Sequence, residues 1–173
     1  MAIAILSGTA GCTLLATQAT TIHYDASDGV SGNVGDVAVR NAILLSEDGN
    51  LANLLVTFVN QSGSTQNISV QYGAATGKVT ASVVVPANST VSVGTPNAPS
   101  VILEGIDTQP GALFPVFVQY GDETGLELLV PVLDGAIGPY STLLPTATPT
   151  PTATPTPSAT PTPEATPTPT PTP

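Results

Sequence analysis

From Val37 onward the apolar residues of this chain recur in twos, and each short run closes in a cluster of turn residues. Successive side chains on a strand point to opposite faces, so this period marks segments with one buried and one wet face. The first run is VAVRNAILL, closed by Ser46-Glu47-Asp48-Gly49-Asn50. In LANLLVTFVN the residues Leu54, Val56 and Phe58 share one face while Thr57 points away, and Ile68, Val70 and Tyr72 then alternate with Ser69 and Gln71. GKVTASVVV aligns Val79, Ala81, Val83 and Val85, and Pro86-Ala87-Asn88-Ser89 turns the chain into Thr90-Val91-Ser92-Val93. Val101-Ile102-Leu103 is a short strand. Phe114, Val116, Val118 and Tyr120 mark another, and Gly121 to Gly125 forms a hairpin turn into Leu126, Leu128, Val130 and Val132. No stretch of useful length carries a helical period. Seven or eight short strands with such spacing predict an all-β fold, an immunoglobulin-like Greek-key β-sandwich, with a barrel as the structural alternative. Pro115 and Pro131 each remove a ladder donor, which predicts edge positions or bulges.

Aromatic residues make up only 4% of the chain and Trp is absent, so Val, Leu, Ile and Ala must fill the core. The β-sandwich domain is expected over residues 21–138, followed by a Pro/Thr-rich tail over 139–173. From Pro145 the tail repeats hexapeptides such as PTATPT and holds no apolar side chain larger than alanine apart from proline itself. Such a segment has nothing to bury against its ordering entropy, which predicts disorder with polyproline II character. A spacer or wall-penetrating segment, with threonines open to O-glycosylation, is one role for it, and low-complexity drift is the other.

Two basic residues, Arg40 and Lys78, face twelve acidic ones, for a net charge of -10. That surface repels a phosphate backbone and an anionic leaflet alike, so no nucleic-acid partner is expected and membrane attachment needs an apolar or covalent anchor.

Met1 to Gly11 read MAIAILSGTAG, an apolar run ending in small residues, and Cys12 follows at once. Ala10-Gly11-Cys12 resembles the cleavage and lipidation site of a bacterial lipoprotein signal, with Thr9 where Leu is usual. Residues 1–11 then form the signal, Cys12 carries the lipid, and 12–20 are a linker. Neither Lys nor Arg precedes Cys12, so the expectation is that the true start lies upstream of Met1. Thioether-linked diacylglycerol supplies the chains that make attachment stable, about 0.8 kcal/mol per buried methylene. A single cysteine forms no intrachain disulfide, and a lone thiol in an exported chain is usually modified.

Four pieces stand together in order: Val39-Arg40-Asn41-Ala42, Val59-Asn60-Gln61-Ser62-Gly63, Val85-Pro86-Ala87-Asn88-Ser89-Thr90-Val91, and Leu126 to Gly135. This order resembles the periplasmic copper chaperone domain PCu(A)C. With Tyr24 to Val30 just after the cysteine, it is still more similar to the LpqE-like lipoproteins of actinobacteria. The resemblance implies a β-domain held on the outer face of the cell membrane. A PCu(A)C site binds Cu(I) through thioether sulfur and imidazole, the soft ligands that ion prefers. This chain offers only His23 and Met1, so the copper site does not carry over and no cofactor is expected.

Asp25, Asp28 and Asp36 lie in DASDGVSGNVGD, an oxygen-rich stretch of the kind that can hold Ca²⁺, although its spacing is not that of an EF-hand. His23, Asp25 and Asp28 are weak metal candidates, and a polar loop leading into the first strand is the competing reading. His23 beside Asp25 has no nucleophile elbow to serve, so no catalytic residue and no enzyme activity are expected. Asn60, Asn67 and Asn88 begin N-x-S/T sequons, read in a bacterial chain as coincidences of Asn- and Ser-rich turns. The function expected is that of an envelope lipoprotein presenting a binding or structural module to a cell-wall or envelope protein partner, and a metal (copper) chaperone is the alternative.

Overall fold

The computed structural model describes residues 26–146; Cys12, His23, Asp25 and the Pro/Thr repeat beyond Thr146 lie outside the described residues. Nine strands are present: β1 (Val30–Val34), β2 (Val37–Leu45), β3 (Leu51–Asn60), β4 (Gln66–Ala74), β5 (Gly77–Val85), β6 (Ser89–Val93), β7 (Ile102–Glu104), β8 (Leu113–Gln119) and β9 (Leu126–Leu133). The fold is all-β, with no helix among the described residues. One curled mixed sheet runs β5-β4-β8-β9-β2-β3-β6, with β1 added to β2 and β7 to β3. Every pairing is antiparallel except a short parallel step, Leu44 to Val132 and Leu45 to Leu133, which joins the two layers. The inward side chains of both layers meet in one core in which Val39, Leu44, Phe58, Ile68, Val70, Val85, Leu103, Val130 and Val132 are completely buried. The faces expected from alternation hold: Leu54, Val56 and Phe58 on β3, and Phe114, Val116, Val118 and Tyr120 on and after β8, all reach this core.

Two features depart from simple alternation. The stretch read as a polar loop contains β1, whose Asn33 and Val34 pair with Ala38 and Val37. Its composition hides the strand because Gly32 serves close approach: a Cβ there would collide with the Leu126 side chain. Arg40 donates from Nη1 to Gly32 O at 2.7 Å, and Gly29 N donates to Asn41 Oδ1 at 2.9 Å, which ties β1 to its neighbour.

The second departure is in β2. Its register with β3 shifts between Arg40 and Ile43, where Asn41 takes φ 51°, a conformation asparagine tolerates better than most residues. The bulge changes the phase of the strand. Val37 and Val39 point inward before it and Ala42 and Leu44 after it, so Ile43 and Leu45 emerge on the outer face beside Leu55. Tyr140, Leu143 and Leu144 pack over these three and bury them. This corrects the boundary drawn at 138/139: the segment up to Leu144 is a strap on the β-domain, recruited by an apolar outer patch that simple alternation cannot predict.

Asn60, considered as a sequon, is buried and acts as a corner clamp. Its Nδ2 donates to Ser64 O, Val85 O and Pro86 O at 2.8–3.1 Å, and its Oδ1 accepts from Ser62 N and Oγ. The two prolines sit in interior strands, not at sheet edges. Pro115 lies one residue beyond the β4–β8 ladder, and Pro131 just precedes the β9–β2 step, so each falls where pairing on one side has ended.

Candidate functional site

The outward face of the β5-β4-β8-β9 layer carries the side chains that alternation leaves over. Across neighbouring strands, Thr80, Gln71, Phe117 and Glu127 form one row, since Gln71 pairs with Thr80 and Phe117, and Phe117 pairs with Glu127. Gly73 pairs with Lys78 one alternation along. Phe117 is out of phase with Val116 and Val118 and so faces outward, its ring lying over Gly125, where any Cβ would collide with it. At Gly73 a Cβ would meet nothing within 4 Å, so this glycine leaves open space in the face.

Together these make a hollow of about 280 Å³ lined by Gln71, Gly73, Lys78, Pro115, Phe117 and Glu127, with Tyr72 at its base. Its margin offers an ammonium, a carboxylate and an amide around an aromatic ring. That set can stack on a flat group and hydrogen-bond its edges, and the volume lies just below the range of ligand sites, roughly 300 to 1,000 Å³. It suits a protruding side chain or one sugar ring. Beside the hollow, Leu113 and Leu129 are 57% and 53% exposed, and the pairings Leu113 to Pro131 and Pro115 to Leu129 make them one apolar strip.

Those of the residues singled out in the sequence that are described do not converge. Cys12, His23 and Asp25 lie outside the described residues, and Asp28 stands alone as the near end of a clasp. Tyr140 Oη donates to Asp28 Oδ2 at 2.7 Å, so the two ends of the described domain are fastened to each other. The backbone N of Asp36 donates to Tyr120 Oη at 3.0 Å. Among the described residues no group of three His, Cys, Asp or Glu side chains could hold a metal ion. Asp122 and Glu123 lie in the β8–β9 turn, closed by Glu123 N donating to Tyr120 O. The hollow itself was not foreseen. The signal available for it was Phe117, a large aromatic on the wet phase of its strand.

The Asp28 carboxylate, by accepting the phenol proton and then by partial burial and its charge, raises Tyr140 above its usual 10.0. A raised phenol holds its proton more tightly folded than unfolded, so this stability is complete below the unfolded value and is lost as pH rises through the folded one. Tyr140→Phe is therefore expected to remove the alkaline fall in stability that begins above about pH 10, read by urea unfolding across that range. An alkaline limb unchanged in Tyr140→Phe would mean that the clasp does not form.

Fold and site together define an all-β domain with a small mixed-polarity hollow on one outer face. No family model matches the sequence, and no curated protein is significantly similar to it. Among solved structures, an apo PCuAC domain from PmoF1 is similar over 60% of this chain and 98% of that one, at 15% identity and a TM-score of 0.47.

Proposed function

We propose that this chain is a cell-envelope lipoprotein of the LpqE-like kind, tethered to the outer face of the membrane through Cys12, and that its β-domain is a binding module without catalysis. The observation that supports a binding role is the outer face of β4 and β8: Phe117, Gln71, Lys78 and Glu127 around a hollow, flanked by the exposed Leu113 and Leu129. Aromatic and apolar anchors ringed by polar groups are what a partner surface needs. The partner is an envelope protein or wall polymer, and the net charge of -10 argues against nucleic acid. The hollow offers no imidazole, thiol or hydroxyl nucleophile, since the Tyr72 side chain points into the core, where its Oη accepts from Glu104 N. A copper chaperone role finds no support in residues 26–146, which contain no His, Met or Cys.

Fractionation tests the tether. Cys12→Ala is expected to move the protein from the membrane fraction to the soluble one, while the parent remains with the membrane. A parent chain that is soluble, or a Cys12→Ala variant that still sediments with membranes, refutes the anchor.

A further inference from the structure

We propose that the free edge of β5 is a self-association site, at which two copies pair their β5 strands antiparallel and join two four-stranded layers into one continuous sheet. The proposal is independent of the outer-face reading. β5 pairs with β4 along its whole length, Gly77 to Val85, without a register break, so its other edge is long and regular. Among the described residues no hydrogen bond reaches the Lys78–Val84 backbone from the side away from β4. Proteins usually blunt such an edge by shortness, bulges, proline or charge. The other edges of this fold are blunted: β6 has five residues, β7 three, and β1 breaks register between Val30 and Gly32. β5 has none of these devices except Lys78 near one end.

The core also gapes along the first half of this edge, although Val83 and Val85 further along are buried. Val79 and Ala81 point inward yet stay half-buried, as does Val91 on β6, whereas Ile68 and Val70 on the next strand are completely buried. A strand added to β5 would place its own inward side chains beside Val79 and Ala81 and cover them.

Charge and symmetry select a second copy as the occupant. In a chain of net charge -10, no Asp or Glu occurs from Gly49 to Leu103, and Lys78 is the lone charge of that stretch. β4, β5 and β6 all fall within it, so this is a flank where two copies can approach without opposing carboxylates. Antiparallel pairing about Ala81 is self-complementary. It sets Val79 opposite Val83 of the second copy and Thr80 opposite Ser82, and it keeps the two Lys78 side chains at opposite ends. Val84, 61% exposed, then lies against the aliphatic stem of the other Lys78.

The test uses the full chain with Cys12→Ser, so that lipid does not gather the copies. Sedimentation is expected to show a monomer–dimer equilibrium between micromolar and millimolar concentration, with amide exchange in Lys78–Val84 slowing as the dimer fills and β6 amides unaffected. Thr80→Lys with Ser82→Lys alters two exposed positions, leaves the circular dichroism unchanged, and is expected to weaken the dimer at least about tenfold by bringing four ammonium groups together. A chain that stays monomeric throughout overturns the proposal. So does a dimer as tight in the folded double variant as in the parent. Amides of β5 that become protected only when an envelope extract is added, with the chain still monomeric, assign the edge to a foreign strand and overturn self-pairing.

Discussion

Removing residues 139–173 is expected to destabilise the β-domain strongly, whereas removing only 147–173 leaves its unfolding midpoint nearly unchanged. The difference is the strap. Ile43 and Leu45 are completely buried and Leu55 is 7% exposed, although all three point away from the main core. Tyr140, Leu143 and Leu144 cover them, and Asn53 Nδ2 donates to Leu143 O at 2.8 Å as well as to Gly94 O. Fully burying one such aliphatic side chain contributes about 1.5–3 kcal/mol, and six large side chains change environment here. Ordering the strap costs about 1–2 kcal/mol per residue and offsets much of that, leaving a net loss of about 2–4 kcal/mol. Against a typical total of about 5–15 kcal/mol this is a large fraction. The shorter deletion removes Pro, Thr, Ala, Ser and Glu residues alone, none of which supplies a large apolar group. Urea titration of the parent and both truncated chains reads the effect. Equal midpoints for all three would mean that the outer patch needs no cover, and a large loss from the shorter deletion would move the domain boundary further along the chain.

Val118→Asp is expected to abolish folding. Val118 is 3% exposed near the end of β8, paired with Val70 on one side and Leu126 on the other. A carboxylate there has no cation within the core to meet, and the cost of burying it, several kcal/mol even after protonation, approaches the whole stability of the domain. Val56→Asp, at 4% exposure on β3, is expected to behave alike. Gln119→Asp, one residue along on the outer face, is the control and should retain the strand-type circular dichroism of the parent. A cooperatively folded Val118→Asp would place β8 in another register.

The parts of this fold that the sequence makes legible are those in which one strand meets one core. β4, β8 and β9 alternate cleanly, and their inward residues can be named from period two alone, whereas β3 is buried on both faces from Ala52 to Val56. Legibility fails where a distant residue decides. The phase change in β2 depends on Asn41 adopting a left-handed conformation, and no local pattern in VAVRNAILL announces it. The strap is invisible for the same reason, since Leu143 and Leu144 look like the last residues before a proline repeat until Ile43 and Leu45 are known to face outward. β1 is masked by Gly32, whose missing side chain is a packing requirement set by Leu126. At the candidate site the acidic stretch drew notice because carboxylates are conspicuous, yet Asp28 serves the Tyr140 clasp. The hollow on β4 and β8 instead depends on an absence, the side chain that Gly73 lacks, next to an aromatic on the wrong phase.

Position-specific photocrosslinking in intact cells tests most directly whether the outer face of β4 and β8 is where this chain meets its partner. A photoreactive side chain replaces Gln71, at the rim of the hollow, or Ser92, which is exposed on β6 in the other layer, in the full chain. The account predicts a discrete crosslinked product from position 71, lost when Phe117→Ala is added, and none from position 92. No product at position 71, or the same products from both positions, would contradict it.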